Sequence, residues 1–71
     1  MSEYIVTCTK PHEGRIYSET FSREDYFSDW DLQRSALLYC KNSVDLGWDV
    51  QAIDGDSRIV FNRSASNAES E

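Results

Sequence analysis

Apolar positions recur every three to four residues over one long stretch, Ser28 to Gly47. Residues 29–46 divide into two halves when projected at ~100° per residue. Trp30, Leu32, Gln33, Ala36, Leu37, Tyr39, Cys40, Ser43 and Val44 fall on one half. Asp31, Arg34, Ser35, Leu38, Lys41, Asn42 and Asp45 fall on the other. A stripe this wide predicts an amphipathic helix lying on a sheet, not a narrow coiled-coil seam. Its ends are marked. Ser28 is placed to accept from the free N–H groups of the first turn, with Asp31 three residues on as an aspartate version of the capping box. Phe27 and Leu32 flank the cap at the spacing of a hydrophobic staple. Asp29 and Asp31 set negative charge at the positive end of the helix dipole. Gly47 permits the left-handed conformation that stops a helix.

Just upstream, Phe21-Ser22-Arg23-Glu24-Asp25-Tyr26 repeats the pattern Phe, Ser, two residues, Asp, bulky apolar that recurs from Phe27 to Leu32. Ser22 is thus a second cap site, with Phe21 and Tyr26 as its staple. Two arrangements fit: one helix over 23–46, or a single turn at 23–27 followed by a restart. The restart is preferred. Six residues is not a helical repeat, and one straight helix would put Asp29 on the apolar half.

The rest of the chain has the period of strands. Residues 3–9 are β-branched and aromatic, with Tyr4, Val6 and Cys8 on the face taken as inward. Lys10-Pro11-His12-Glu13-Gly14 is a turn. Residues 15–21 make the return strand, where Tyr17, Glu19 and Phe21 oppose Ile16, Ser18 and Thr20 and the inward set is ambiguous. Beyond the helix, Trp48, Val50 and Ala52 alternate toward it, Asp54-Gly55-Asp56-Ser57 is a hairpin turn, and residues 58–62 return. Residues 63–71 have no apolar side chain larger than alanine and read as a disordered polar tail. The expected fold is α+β, in the order ββαββ: one amphipathic helix on a small antiparallel sheet of about four strands, forming a single domain over 1–62. Strand order is left open.

Charge narrows the function. Thirteen acids face seven bases in 71 residues, a net −6. Phosphate backbones and anionic lipid surfaces both require cations, so direct nucleic-acid and membrane binding are disfavoured. No apolar run approaches the ~20 residues of a spanning helix, and no secretory signal is evident, so a cytoplasmic location is expected. A chain this short buries only ~60% of its unfolded surface, and its 13% aromatic content supplies large buried area per residue.

Candidate chemistry is sparse. Cys8 and Cys40 sit among apolar neighbours and read as reduced core residues; a strand-to-helix disulfide is the alternative in an oxidising compartment. Two Cys and the one His cannot build a structural metal site without carboxylates. His12 near Cys8 is the one nucleophile–base pairing available, and no glycine-rich elbow surrounds either residue. Asp49, Asp54 and Asp56 lack the spacing of a calcium loop. No catalytic residue, cofactor site or metal site is assigned.

Two acidic clusters remain. Asp45, Asp49, Asp54 and Asp56 are spread over the helix end and the last hairpin, where turn preference explains them. Glu24, Asp25, Asp29 and Asp31 lie within eight residues, interleaved with Tyr26, Phe27 and Trp30. Capping and dipole matching explain Asp29 and Asp31 well, and Glu24 and Asp25 less well. The sharper reading is a surface of carboxylates that imitates nucleic-acid phosphates, with aromatic anchors inside the charged patch. Leu38 lies on the polar half of the helix as a further contact point. The predicted partner-binding residues are therefore Glu24, Asp25, Asp29, Asp31, Tyr26, Trp30 and Leu38.

In size, acidity and lack of a catalytic set, the chain resembles small inhibitors encoded by bacteriophages, which bind and block host enzymes or defence complexes, including those that handle nucleic acid. The resemblance implies a non-enzymatic protein-binding module, a nucleic-acid mimic that docks on a basic protein surface in the host cytoplasm. The alternative is a small structural or assembly protein that homodimerises through a sheet edge or the Leu38 helix face.

Overall fold

The structure, a computed structural model, describes residues 3–65. Strand β1 (Glu3–Lys10) leads through a 3-10 turn (Pro11–Glu13) into β2 (Arg15–Ser22). A second 3-10 turn (Arg23–Asp25) precedes helix α1 (Asp29–Asp45), followed by β3 (Asp49–Asp54) and β4 (Ile59–Arg63). The strands form one antiparallel sheet in the order β2-β1-β3-β4, so the fold is the expected α+β, ββαββ arrangement. The two hairpins join through the β1–β3 pair, which puts the strands that carry the buried residues Val6, Cys8, Val50 and Ala52 in the centre.

The register fixes which side chains share a face, because residues directly opposite in an antiparallel pair point the same way. Val6 stands opposite Glu19 and Ala52, and Cys8 opposite Tyr17 and Val50. Val6, Cys8, Val50 and Ala52 are buried with Cys40 of α1. Phe21, Tyr39, Val44, Trp48 and Phe61 close the core at its margins. The ambiguity in β2 is thereby resolved: Tyr17, Glu19 and Phe21 take the helix side, and Ile16, Ser18 and Thr20 the open side. In β4, Phe61 pairs with Ala52 and Ile59 with Ile53, so Val60 is an extra residue and the strand bulges there.

Helix α1 restarts after the 3-10 turn at 23–25, as the doubled motif predicts. Ser28 is its N-cap and accepts from the Asp31 N–H at 3.2 Å, while its own hydroxyl donates to Asp31 Oδ2 at 3.3 Å. Ser22 makes no side-chain cap. At the far end, Gly47 adopts φ +97°. Its N–H donates to Val44 O at 3.0 Å, and the Trp48 N–H donates to Ser43 O at 3.0 Å. This crossed pair satisfies carbonyls that the helix leaves open, and it needs a residue tolerant of the left-handed region.

Two expectations about the helix are corrected. Its buried stripe is Leu32, Ala36, Cys40 and Ser43, narrower than the predicted half. Trp30 is 65% exposed although Leu32 in the same turn is fully buried, so the covered stripe runs through Leu32 and does not extend to the Trp30 side. Nor do Phe27 and Leu32 form a staple: Leu32 is fully buried and Phe27 is 96% exposed.

The β3–β4 connection is closed by Asp54. Its Oδ1 accepts from the Asp56 N–H at 2.9 Å and the Arg58 N–H at 3.0 Å, and Ser57 turns the chain at φ +65°. The polar tail expected from residue 63 begins too early. Arg63 belongs to β4, Asp49 Oδ1 accepts from Ser64 Oγ at 3.0 Å and from the Ala65 N–H at 2.9 Å, and Ala65 is buried. The remainder of that tail, 66–71, lies outside the described residues. Among those described, no helix is long and apolar enough to cross a membrane.

Candidate partner-binding surface

The site begins where β2 runs out. The chain must leave the sheet at Ser22 and enter α1 at Ser28, and Arg23 holds the intervening knuckle. Its guanidinium donates to Tyr26 O at 2.7 Å, to Phe27 O at 2.9 Å and to Asp29 Oδ1 at 3.0 Å. One planar fork thus ties two carbonyls and a carboxylate, a geometry that a lysine ammonium does not reproduce. The Tyr26 N–H closes the 3-10 turn on Arg23 O at 3.1 Å.

The clamp fixes what the knuckle presents. Glu24, Asp25, Tyr26, Phe27, Asp31 and Ser35 line one open depression of about 520 Å³. Glu24 and Asp25 are exposed, Tyr26 and Asp31 half-buried. Phe27 stands in solvent beside them, its ring free while its carbonyl is held. The arrangement is negative charge around an apolar projection.

Of the seven residues predicted from sequence, the structure brings four together here: Glu24, Asp25, Tyr26 and Asp31. Asp29 is tied to Arg23 and stands outside the depression. Trp30 and Leu38 lie on a separate patch with Arg34 and Lys41, where the Arg34 guanidinium carbon sits 5.4 Å from the Trp30 ring centre. That patch is aromatic and basic, so it does not extend the acidic surface. Sequence reasoning misses two members: it reads Phe27 as half of a staple and gives Arg23 no role. The signal for Arg23 is present in the chain, as a lone cation at the head of four acids.

The other candidates have structural duties. Asp49 and Asp54 accept backbone N–H groups in the contacts described above. Cys8 is packed in the core, whereas His12 is exposed in its turn and lines a shallow depression with Lys10 and Glu13. Both cysteines are unbridged. Burial, and secondarily Cys8, pushes the Cys40 thiol up to about 11. Burial foremost also raises the Tyr39 phenol above its ordinary value. Among the described residues, no three His, Cys, Asp or Glu side chains are grouped to hold a metal ion. Trp48 carries two cations on its ring, Lys10 Nζ at 4.8 Å and the Arg15 guanidinium carbon at 5.1 Å, with Tyr17 alongside at 6.5 Å between ring centres.

No protein-family model matches the chain, and neither the curated proteins nor the solved structures contain a match.

Proposed function

We propose that the chain is a non-enzymatic protein-binding module, a small acidic inhibitor of the phage type that docks its carboxylate surface on a basic, nucleic-acid-handling host protein. The observation that carries this reading is Phe27. An aromatic ring 96% exposed, on a backbone tied down by Arg23 and bordered by Glu24, Asp25 and Asp31, is an anchor held ready for a pocket. A few side chains carry most of the energy of a typical interface, aromatic ones are enriched there, and a held backbone reduces the ordering cost of binding. The surrounding carboxylates steer the encounter toward cations of the kind that hold phosphates.

The test is affinity capture from bacterial lysate with the full chain, with Phe27→Ala and with Glu24→Lys/Asp25→Lys. Wild type captures a nucleic-acid-binding protein that duplex DNA displaces. Capture weakens with added salt as charges are screened, over a Debye length of about 8 Å at physiological ionic strength. Both variants reduce it. Capture indifferent to salt and to both variants sinks the proposal.

A further inference from the structure

We infer that the free edge of β2 pairs with the same edge of a second copy, antiparallel about Tyr17, joining four strands from each copy into one continuous sheet. The inference stands apart from the Phe27 surface.

The two edges of the sheet differ. β4 is five residues long and bulged at Val60. β2 is eight residues long, regular along its whole pairing with β1, and contains neither proline nor bulge. Residues 15–20 are all exposed, so the outward N–H and C=O groups of the strand face solvent. Sheet proteins ordinarily blunt such an edge with proline, bulges or charges; the charges here, Arg15 and Glu19, are of opposite sign, so a strand that complements them can still add to this edge.

Charge selects a second copy as that strand. A two-fold axis normal to the sheet sets residue i opposite residue j on the same face, with an even sum. Centring the pair on Glu19 would oppose two carboxylates. Centring it on Tyr17 opposes Arg15 of each copy to Glu19 of the other. Two such ion pairs then flank a Tyr17–Tyr17 contact on the helix face, while Ile16 meets Ser18 on the open face. Arg15 can exchange partners to do this. Its present contacts are a salt bridge to Glu13 at 3.2 Å, between two largely exposed side chains, and the face of the Trp48 ring at 5.1 Å, each of little strength at an exposed site. The regular overlap is residues 15–19, because Gly14 already turns the chain at φ +65°. A ribbon that short buries less than the about 800 Å² per partner of a standard interface, so the dimer is concentration-dependent.

Sedimentation equilibrium of the full chain at low salt, from about 1 µM to about 1 mM, reads the dissociation constant across the range of weak complexes. Glu19→Arg opposes two guanidinium groups at each end of the pair, and Arg15→Glu opposes two carboxylates. Each single variant, with its fold checked by circular dichroism, raises the dissociation constant about tenfold or more, a change of ~1.4 kcal/mol. The double variant Arg15→Glu/Glu19→Arg restores the complementary pairs and returns the constant to near the wild-type value. A monomer at every concentration overturns the inference, as do singles that dimerise like wild type or a folded double variant that is not rescued. A dimer dissolved by Leu38→Glu and indifferent to the charge swap would assign the contact to the helix and overturn it equally.

Discussion

Cys8 of β1 and Cys40 of α1 meet in the same buried cluster across the sheet–helix interface, and no disulfide joins them. Both thiols should therefore resist an aromatic disulfide reagent in the folded chain and react promptly once denatured; fast native reaction would contradict the packing. The same burial predicts a pH dependence. Folded Cys40 keeps its proton to about 11, while an exposed thiol ionises near 9.0. Burial of the neutral thiol thus contributes stability that is full below pH 9 and is lost as pH climbs through 11. The raised Tyr39 phenol acts in the same direction. Urea midpoints measured from pH 8 to pH 11 should fall, and Cys40→Ala should flatten the decline. A tenfold difference in proton affinity between folded and unfolded chains corresponds to about 1.4 kcal/mol.

Ser28→Ala removes the hydroxyl that accepts from Asp31 N–H and donates to its carboxylate. The cost expected for an N-cap serine is about 1 kcal/mol. It should appear as a lower urea midpoint with an unchanged slope, because the surface exposed on unfolding is the same.

The turn after β3 offers a stabilising change. Ser57 sits at φ +65°, a region that costs a side-chain-bearing residue about 1–2 kcal/mol and glycine almost nothing. Glycine in turn enlarges the freedom of the unfolded chain, at a cost of roughly 0.4–1 kcal/mol. Ser57→Gly should leave a net gain of about 0.5 kcal/mol, read as a raised melting temperature. A fall in stability would mean that the serine side chain has a role beyond turning the chain.

Asp49 binds the last described residues to the sheet. Asp49→Ala removes the acceptor of Ser64 Oγ and the Ala65 N–H together. Stability should drop by about 1–3 kcal/mol, as two partly buried donors lose a charged partner. Amide exchange at Ala65 should accelerate while exchange at Val6 changes only through the global loss.

Phe27 and Leu32 should separate sharply. Phe27→Ala truncates a ring that touches solvent, and melting should move by no more than about 0.5 kcal/mol. Leu32→Ala empties a fully buried site, and cavity formation should cost about 2–5 kcal/mol, a large part of a small domain's stability. Equal effects would restore the staple.

These contrasts separate what is legible in the sequence from what is not. The helix, its restart, both hairpins and the Ser28 and Gly47 caps are readable because each depends on residues within one or two turns of one another. What escapes depends on distant partners. Strand order follows from β1 meeting β3, a pairing that no local periodicity encodes. Trp30 looks buried in projection because periodicity gives a direction and not the extent of the sheet beneath it. Residues 63–65 look like tail because the anchor of the last two is a carboxylate fifteen or sixteen positions earlier in the chain. At the candidate surface, the interleaving of acids and aromatics is visible in the chain. Its division is not, because Arg23 reaches forward to Asp29 and turns that carboxylate away from its neighbours.

The extra residue at Val60 has a consequence for assembly. Open-ended polymers need two sticky sides on every subunit, one to be added to and one to add with. The irregular β4 leaves each molecule with a single adhesive side, so on the pairing proposed at Tyr17 the first union consumes it and growth stops at two. On that pairing, the fibres that a regular outer strand on both flanks would invite do not form.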